Sequence, residues 1–458
     1  MPRLRQTKGS RRGTRAIRLL VLAVAAIGGL SVFGVTGAHA DARFGDSTWV
    51  APGDLFEVDR SDSTAEGSRV ADRDGERGWE TVLRTPFRIV FLPLRLVALG
   101  LEAGAGYAGP RYFEPKSMRP PKPGPKLGLY VTVTSVGDIG VGPGVTWKGF
   151  PTAGDKFHVV GAWSAIGHRR LHVSEVLRDQ RPLSLRLRAY YDDEPNRRFY
   201  GIGNGSPEAN LSYYLLETST LESALLLGTS PWRQARLLAG YSNMSPGSGS
   251  HGSPLLENVF SEPDAPYGRT TSDVLWYGVA ADFAVVDEVR NPSRGVHGRV
   301  DLRQELDQGA GAPDFNQWLV EARAYIPVFA KRRVIAMRGV YTGVDPIGNT
   351  SDALPFYRLA TSAGVTSFAG YPTERFRDRE LALARIEYRW LVFHSLSAVG
   401  LYEVGAVAPT ASAFRLGDTH ESYGGGLRVA ASETRVARFE VAKSVEGIHA
   451  RLVLGVDF

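Results

Sequence analysis

The feature that most constrains this chain is a two-residue alternation of apolar and polar side chains that recurs in short segments from Lys126 onward. Between Val296 and Glu305, one face collects Val296, Gly298, Val300 and Leu302, and the other collects His297, Arg299, Asp301, Arg303 and Glu305. Successive side chains of a strand point to opposite faces, so only a strand sorts the residues this way. The same pattern sets Trp318, Val320, Ala322, Ala324 and Ile326 against Gln317, Glu321 and Arg323, and sets Ala382, Ala384, Ile386, Tyr388 and Trp390 against Arg385, Glu387 and Arg389. At the end of the chain, Ala450, Leu452, Leu454, Val456 and Phe458 alternate with a face holding Arg451 and Asp457.

Sixteen such segments start near Lys126, Gly140, Lys156, Arg169, Leu183, Leu211, Arg233, Ser272, Val296, Phe315, Arg332, Glu380, Ser395, Tyr423, Val436 and His449. Beyond the first forty residues no apolar run is long enough to cross a bilayer as a helix. Within lipid every backbone N–H and C=O must be paired inside the protein, which leaves a closed barrel as the β solution. A soluble sandwich would bury its apolar faces against each other and would not need charges opposite them on nearly every strand. The expected fold is all-β: a 16-stranded antiparallel transmembrane β-barrel with a short N-terminal periplasmic segment containing a broken helix.

An even strand number puts both barrel ends in the periplasm. The short connections Gly228–Trp232, Pro327–Arg332, Val392–His394 and Ser432–Thr434 then fall on the periplasmic side. Asp192–Asn210, Met244–Thr271 and Gly343–Arg379 become the long outside loops.

The address is written at the N-terminus. Arg3, Arg5, Lys8, Arg11, Arg12, Arg15 and Arg18 precede an apolar stretch, Leu19 to Val35, and Ala38-His39-Ala40 closes it. That is the pattern of a signal peptide cleaved near Ala40, directing the chain to the outer membrane of a Gram-negative-type bacterium. Its loss removes seven of 54 basic residues, so the 47 that remain balance 48 Asp plus Glu. The basic charge therefore belongs to the leader and implies no nucleic-acid partner. There is no Cys, which excludes disulfides and thiolate metal sites.

Three domains follow: 1–40 signal peptide, 41–125 periplasmic segment, 126–458 barrel. The stretch from Asp41 through Arg77 is rich in charge, poor in apolar residues and expected to be disordered. A helix near Trp79–Glu102 is interrupted by Pro86 and Pro93. Such a helix rests on the membrane face or enters the lumen as a plug. Prolines between Pro110 and Pro125 make a stiff lead into the first strand.

The inward faces gather Arg385, Glu387, Arg389, Arg428, Arg438 and Glu440, among others, into a charged and net basic lumen wall. Two roles remain open and compatible: a cross-lumen salt-bridge network and an anion-selective path. No catalytic pattern is present, so an enzyme is not expected and no cofactor or metal is called for. His168 and His172 stand four apart near a turn without a third ligand in sequence.

The sixth outside connection carries Ser367-Phe368-Ala369-Gly370-Tyr371 and Arg375-Phe376-Arg377-Asp378-Arg379. On these residues, and from the eleventh strand onward, the chain resembles the BamA/TamA superfamily of outer-membrane barrels, also called the bacterial surface antigen family, which carries Arg-Gly-Phe or Arg-Gly-Tyr at that place. Glu387-Tyr388-Arg389, Tyr423 to Arg428, Ser444 to Gly447, Phe199 to Asn204, Asn291 to Gly295 and terminal Phe458 match as well. Ala369 stands where the family has an arginine that enters the lumen against the wall. The resemblance implies that Arg375, Arg377 or Arg379 supplies that pairing, or that it is absent.

Asp41–Pro125 does not read as the POTRA domains of larger members, so the chain resembles a short form. What the resemblance implies is protein assembly or translocation at the outer membrane, through a lateral seam or the lumen. The alternative is a passive or helix-plugged pore. Implied partners are outer-membrane lipid, the barrel-assembly machinery during insertion, with Phe458 as the insertion signal, and a polypeptide substrate.

Overall fold

A computed structural model describes residues 126–136, 138–149, 155–177, 182–230, 232–250, 252–287, 291–309, 311–328, 333–348, 353–363, 366–392, 396–432 and 435–454. The signal, the Asp41–Pro125 segment and Phe458 lie outside the described residues.

The strands are β1 (Lys126–Val136), β2 (Asp138–Lys148), β3 (Lys156–Ser164), β4 (Arg169–Leu177), β5 (Leu183–Phe199), β6 (Ser212–Ser230), β7 (Arg233–Ser248), β8 (Ser272–Val286) and β9 (Gly295–Asp307). They continue with β10 (Phe315–Pro327), β11 (Arg333–Pro346), β12 (Ala360–Thr361), β13 (Arg377–Asp378), β14 (Glu380–Leu391), β15 (Leu396–Ala408), β16 (His420–Ser432), β17 (Arg435–Ser444) and β18 (Gly447–Leu454). Leaving aside β12 and β13, which pair with each other inside the sixth loop, sixteen strands form one antiparallel sheet in sequence order. Its starts fall within three residues of those the alternation marks. The fold is the expected 16-stranded barrel. Its two edges, β1 and β18, approach with Cα atoms within 8 Å, and no register pairs them among the described residues.

Burial confirms the sorting of faces. On β9, His297, Arg299, Asp301 and Glu305 are buried whereas Val300 and Leu302 are 38% and 45% exposed. On β14, Leu381, Leu383, Arg385, Glu387 and Arg389 face inward while Ile386 and Tyr388 are exposed. The charged face is therefore the interior, and the apolar face meets lipid.

One boundary is corrected. Asp192–Phe199, expected as the start of an outside loop, is strand, and β5 pairs with β6 as far as Phe199↔Ser212. The Asp-Asp-Glu-Pro-Asn run reads as a turn because such residues disfavour strands. Here the ladder shifts register between Glu194 and Arg197, so Pro195 sits at a bulge where no ladder N–H is needed. Asp192 is held by Arg170 and His168 from β4 and the preceding turn. Likewise Met244–Ser248 and Gly343–Pro346 belong to β7 and β11. The wall thus stands tallest at β5–β7 and is low at β3, β4, β17 and β18.

Candidate functional site: the sixth loop and the lumen wall

The connection between β11 and β14 folds into the lumen instead of lying over it. Phe368, Tyr371 and Phe376 are buried and pack with Leu381, Leu383 and Val407 of the wall. Their rings meet edge to face at 5.0–5.8 Å between centroids. Such packing contributes beyond area burial. Phe376 also stacks on His420 at 3.8 Å.

Sequence dictates how closely this loop approaches the wall. At Gly370 an added Cβ would lie 2.5 Å from Ser422 Cβ, so only glycine lets the backbone reach β16. One step earlier, the Ala369 N–H donates to Glu403 Oε2 at 2.6 Å. The same carboxylate accepts from the Ser422 hydroxyl at 2.8 Å and, through Oε1, from Arg385 Nη1 at 2.8 Å. Glu403 is fully buried and all three donors converge on it. The loop thus presents only an N–H to this acid, and its guanidinium partner comes from β14.

The loop's own arginines do pair with the frame, but at other places. Arg375 Nη2 lies 2.6 Å from Glu446 Oε1 in the β17–β18 turn. It also donates to the Ser206 carbonyl at 2.8 Å and hydroxyl at 3.1 Å in the β5–β6 loop. Arg377, 1% exposed, donates to the Tyr214 hydroxyl and the Phe356 carbonyl at 3.2 Å each. Aromatic rings of Phe199, Tyr214 and Phe356 surround its guanidinium. Between them Glu374, at φ +66°, accepts from Arg197 Nε at 2.7 Å and the Arg198 N–H at 2.8 Å. Burial pushes the Glu374 carboxyl up, but Arg197 and Arg377 outweigh it and hold the group below the usual carboxylate range.

Lower down, Arg385, Glu387, Arg389, Arg438 and Glu440 of the expected wall form one network. Arg385 contacts Glu387 and Glu440 at 2.5 Å each; Arg389 contacts Glu387 at 2.7 Å; Arg438 lies 3.7 Å from Glu440. Arg451 of β18 reaches Glu440 at 2.7 Å and Ser367 of the loop at 3.0 Å, which ties the edge strand to both. Arg428 is buried directly opposite Arg438 in the ladder.

His168 and His172 separate. His172 turns inward beside His158, ring centroids 6.0 Å apart. His168 meets Asp192 at 2.6 Å and Glu194 at 3.8 Å, carboxylates that sequence spacing does not bring near it. Arg170 contacts both acids as well.

Sequence alternation alone does not single out Glu403, Glu374, Arg197, Ser206, Tyr214 or Ser422. A lone inward Glu403 on β15 is a legible signal, because a buried acid needs a partner. The partners of Glu374 come from strands far away in sequence.

Space left between loop and wall is a cavity of about 90 Å³, lined by Tyr190, Trp276, Arg303, Glu305, Tyr357 and Thr366, among others. That is room for a handful of waters.

Residues 170–448 match the Omp85 superfamily domain. The chain belongs to the Omp85 superfamily. Among solved structures, this Omp85 barrel is similar to BamA from Haemophilus ducreyi lacking POTRA domains 1–3, at 14% identity and a TM-score of 0.54, over 72% of this chain and 70% of that one. CdiB from Escherichia coli (13% identity, TM-score 0.46, 74% of this chain and 64% of that one) and CdiB from Acinetobacter baumannii (9%, 0.44, 73% and 59%) also match. No curated protein matches the sequence. This is an Omp85-family β-barrel of the outer membrane, similar in fold to BamA.

Proposed function

We propose that this Omp85 barrel assembles or translocates polypeptide at the outer membrane, using the edge between β1 and β18 and the lumen behind it. The carrying observation is the sixth loop: seated in the lumen, it binds the last hairpin through Arg375–Glu446 and Arg451–Ser367, beside two strand edges that no register joins among the described residues. A loop so placed couples the state of the lumen to the state of that edge. A polypeptide is the substrate class, outer-membrane lipid the surround, and the barrel-assembly machinery the partner at insertion, with Phe458 as its signal.

A second reading, a passive pore, draws support from the charged lumen wall. Depleting the protein and quantifying the outer-membrane and surface proteome separates the two. The proposal expects a defined set of polypeptides to fall while small-solute uptake holds. Slowed solute uptake with an unchanged proteome supports the pore instead.

A further inference from the structure

Charge is distributed unevenly along the lumen axis. A few residues above the periplasmic turns, β7, β9, β10, β14, β16 and β17 carry Arg236, Arg299, Arg323, Arg389, Arg428 and Arg438, all buried among inward-facing residues. Carboxylates in this half are fewer than the basic groups and are shared among them: Asp282 on β8 meets Arg236 at 2.6 Å, Glu387 meets Arg389 at 2.7 Å, Glu321 meets both Arg323 and Arg338 at 2.7 and 2.6 Å, Asp301 lies 3.6 Å from Arg299, and Glu440 lies 3.7 Å from Arg438. Toward the outside mouth the balance changes, and Asp192, Glu194, Glu305 and Glu374 match Arg170, Arg358 and Arg197 in close pairs.

The ladder makes the basic end conspicuous. Arg428 lies directly opposite Arg438, and Arg323 is opposite Arg338, which is itself opposite Arg385. Like charges directly opposite each other destabilise a sheet. Glu321 offsets part of this by contacting both Arg323 and Arg338, and the signs alternate at Arg299↔Glu321, but the excess over the whole periplasmic half stays positive. A barrel of sixteen strands is wide enough to hold water inside it, and rings of arginine in such a conduit favour anions. Guanidinium forks match carboxylates in two-point geometry.

We propose that the periplasmic half of the lumen is an anion-binding vestibule that receives acidic polypeptide segments. The field there concentrates negatively charged chains at the periplasmic mouth and favours their entry over basic ones. This rests on the polypeptide-handling role above and names the class of substrate that it selects.

The test uses the full chain in lipid nanodiscs, which leave both mouths open, with labelled oligomers of glutamate and of lysine as probes. The glutamate oligomer binds, and rising salt weakens it; the lysine oligomer does not. The double variant Arg428→Gln/Arg438→Gln lowers glutamate-oligomer affinity about tenfold or more, as expected for desolvated charge-assisted contacts, while Arg428→Lys/Arg438→Lys retains most of it.

Three results overturn the vestibule: equal binding of both oligomers, no loss in the glutamine variant, or equal loss in the lysine and glutamine variants, which marks a structural role. Chloride selectivity in a planar bilayer without oligomer binding overturns the peptide assignment. The two claims fail separately: oligomer binding with no change in the proteome on depletion leaves the vestibule standing and removes the assembly role.

Discussion

Arg375 in the sixth loop and Glu446 in the β17–β18 turn form a contact of 2.6 Å that joins the lumen filling to the hairpin at the barrel edge. Both groups are largely buried, so removing one strands the other away from water. Breaking such a pair costs on the order of 3–5 kcal/mol. Arg375→Gln is therefore expected to loosen the last hairpin, seen as faster hydrogen exchange in β18 with β5–β11 unchanged. Unchanged exchange in β18 would mean that the contact holds nothing.

Glu403 is the point where the loop backbone, Ser422 and Arg385 meet. Glu403→Ala leaves a buried N–H and a buried guanidinium without that acceptor, and loop undocking is expected at about 3–5 kcal/mol. Glu403→Gln keeps an acceptor for the Ala369 N–H and recovers part of it. Limited proteolysis within 366–379 reads both; equal protection of wild type and Glu403→Ala would refute the anchor.

Gly370→Ala places a methyl 2.5 Å from Ser422 Cβ. Overpacking of this kind costs about 1–3 kcal/mol. Ser422→Gly removes the obstacle but also the hydroxyl bonded to Glu403, so the measure is the cost of Gly370→Ala in each background: in thermal unfolding it should be smaller with Gly at 422 than with Ser. An equal cost in both backgrounds would mean that close approach is not what the glycine serves.

Much of this was legible in the residues, and the limits are physical. Alternation gave sixteen strands and their inward faces because the side-chain period of a strand is two wherever one side meets lipid. It mistook Asp192–Phe199 for loop because its acids Asp192 and Glu194 are stabilised by Arg170 of β4, a partner outside any local window. The loop residues Phe368, Tyr371, Arg375 and Arg377 were visible through their resemblance to a known motif. Glu446, which Arg375 meets, lies in the Ser444–Gly447 run of the same resemblance. Ser206 and Tyr214, and Glu403, which takes the Ala369 N–H, were not singled out, since their meeting with the loop is set by how distant strands come together and not by spacing along the chain.

Glu374 gives the loop a dependence on pH. Its carboxyl is held below the ordinary glutamate range by Arg197 and Arg377 against the effect of burial. A depressed folded-state value contributes stability above the unfolded value, about 4.3, and that contribution is lost as pH falls through the folded one. Hydrogen exchange of residues 366–378 should therefore rise on acidification below that range and be flat above it. In Glu374→Gln the acid-dependent rise should disappear; its persistence would place the titrating group elsewhere.

The central claim is that the edge between β1 and β18 must move for function. Because the chain has no Cys, a disulfide can be introduced there alone. One cysteine is placed between Leu129 and Thr134 of β1 and one between Ala450 and Leu454 of β18, and the level of the polypeptides that fall on depletion is measured. Under oxidising conditions the crosslinked protein should fail to support them, reductant should restore them, and either single cysteine should behave as wild type. Full support from the quantitatively crosslinked protein would contradict the account and leave a barrel whose edge never opens.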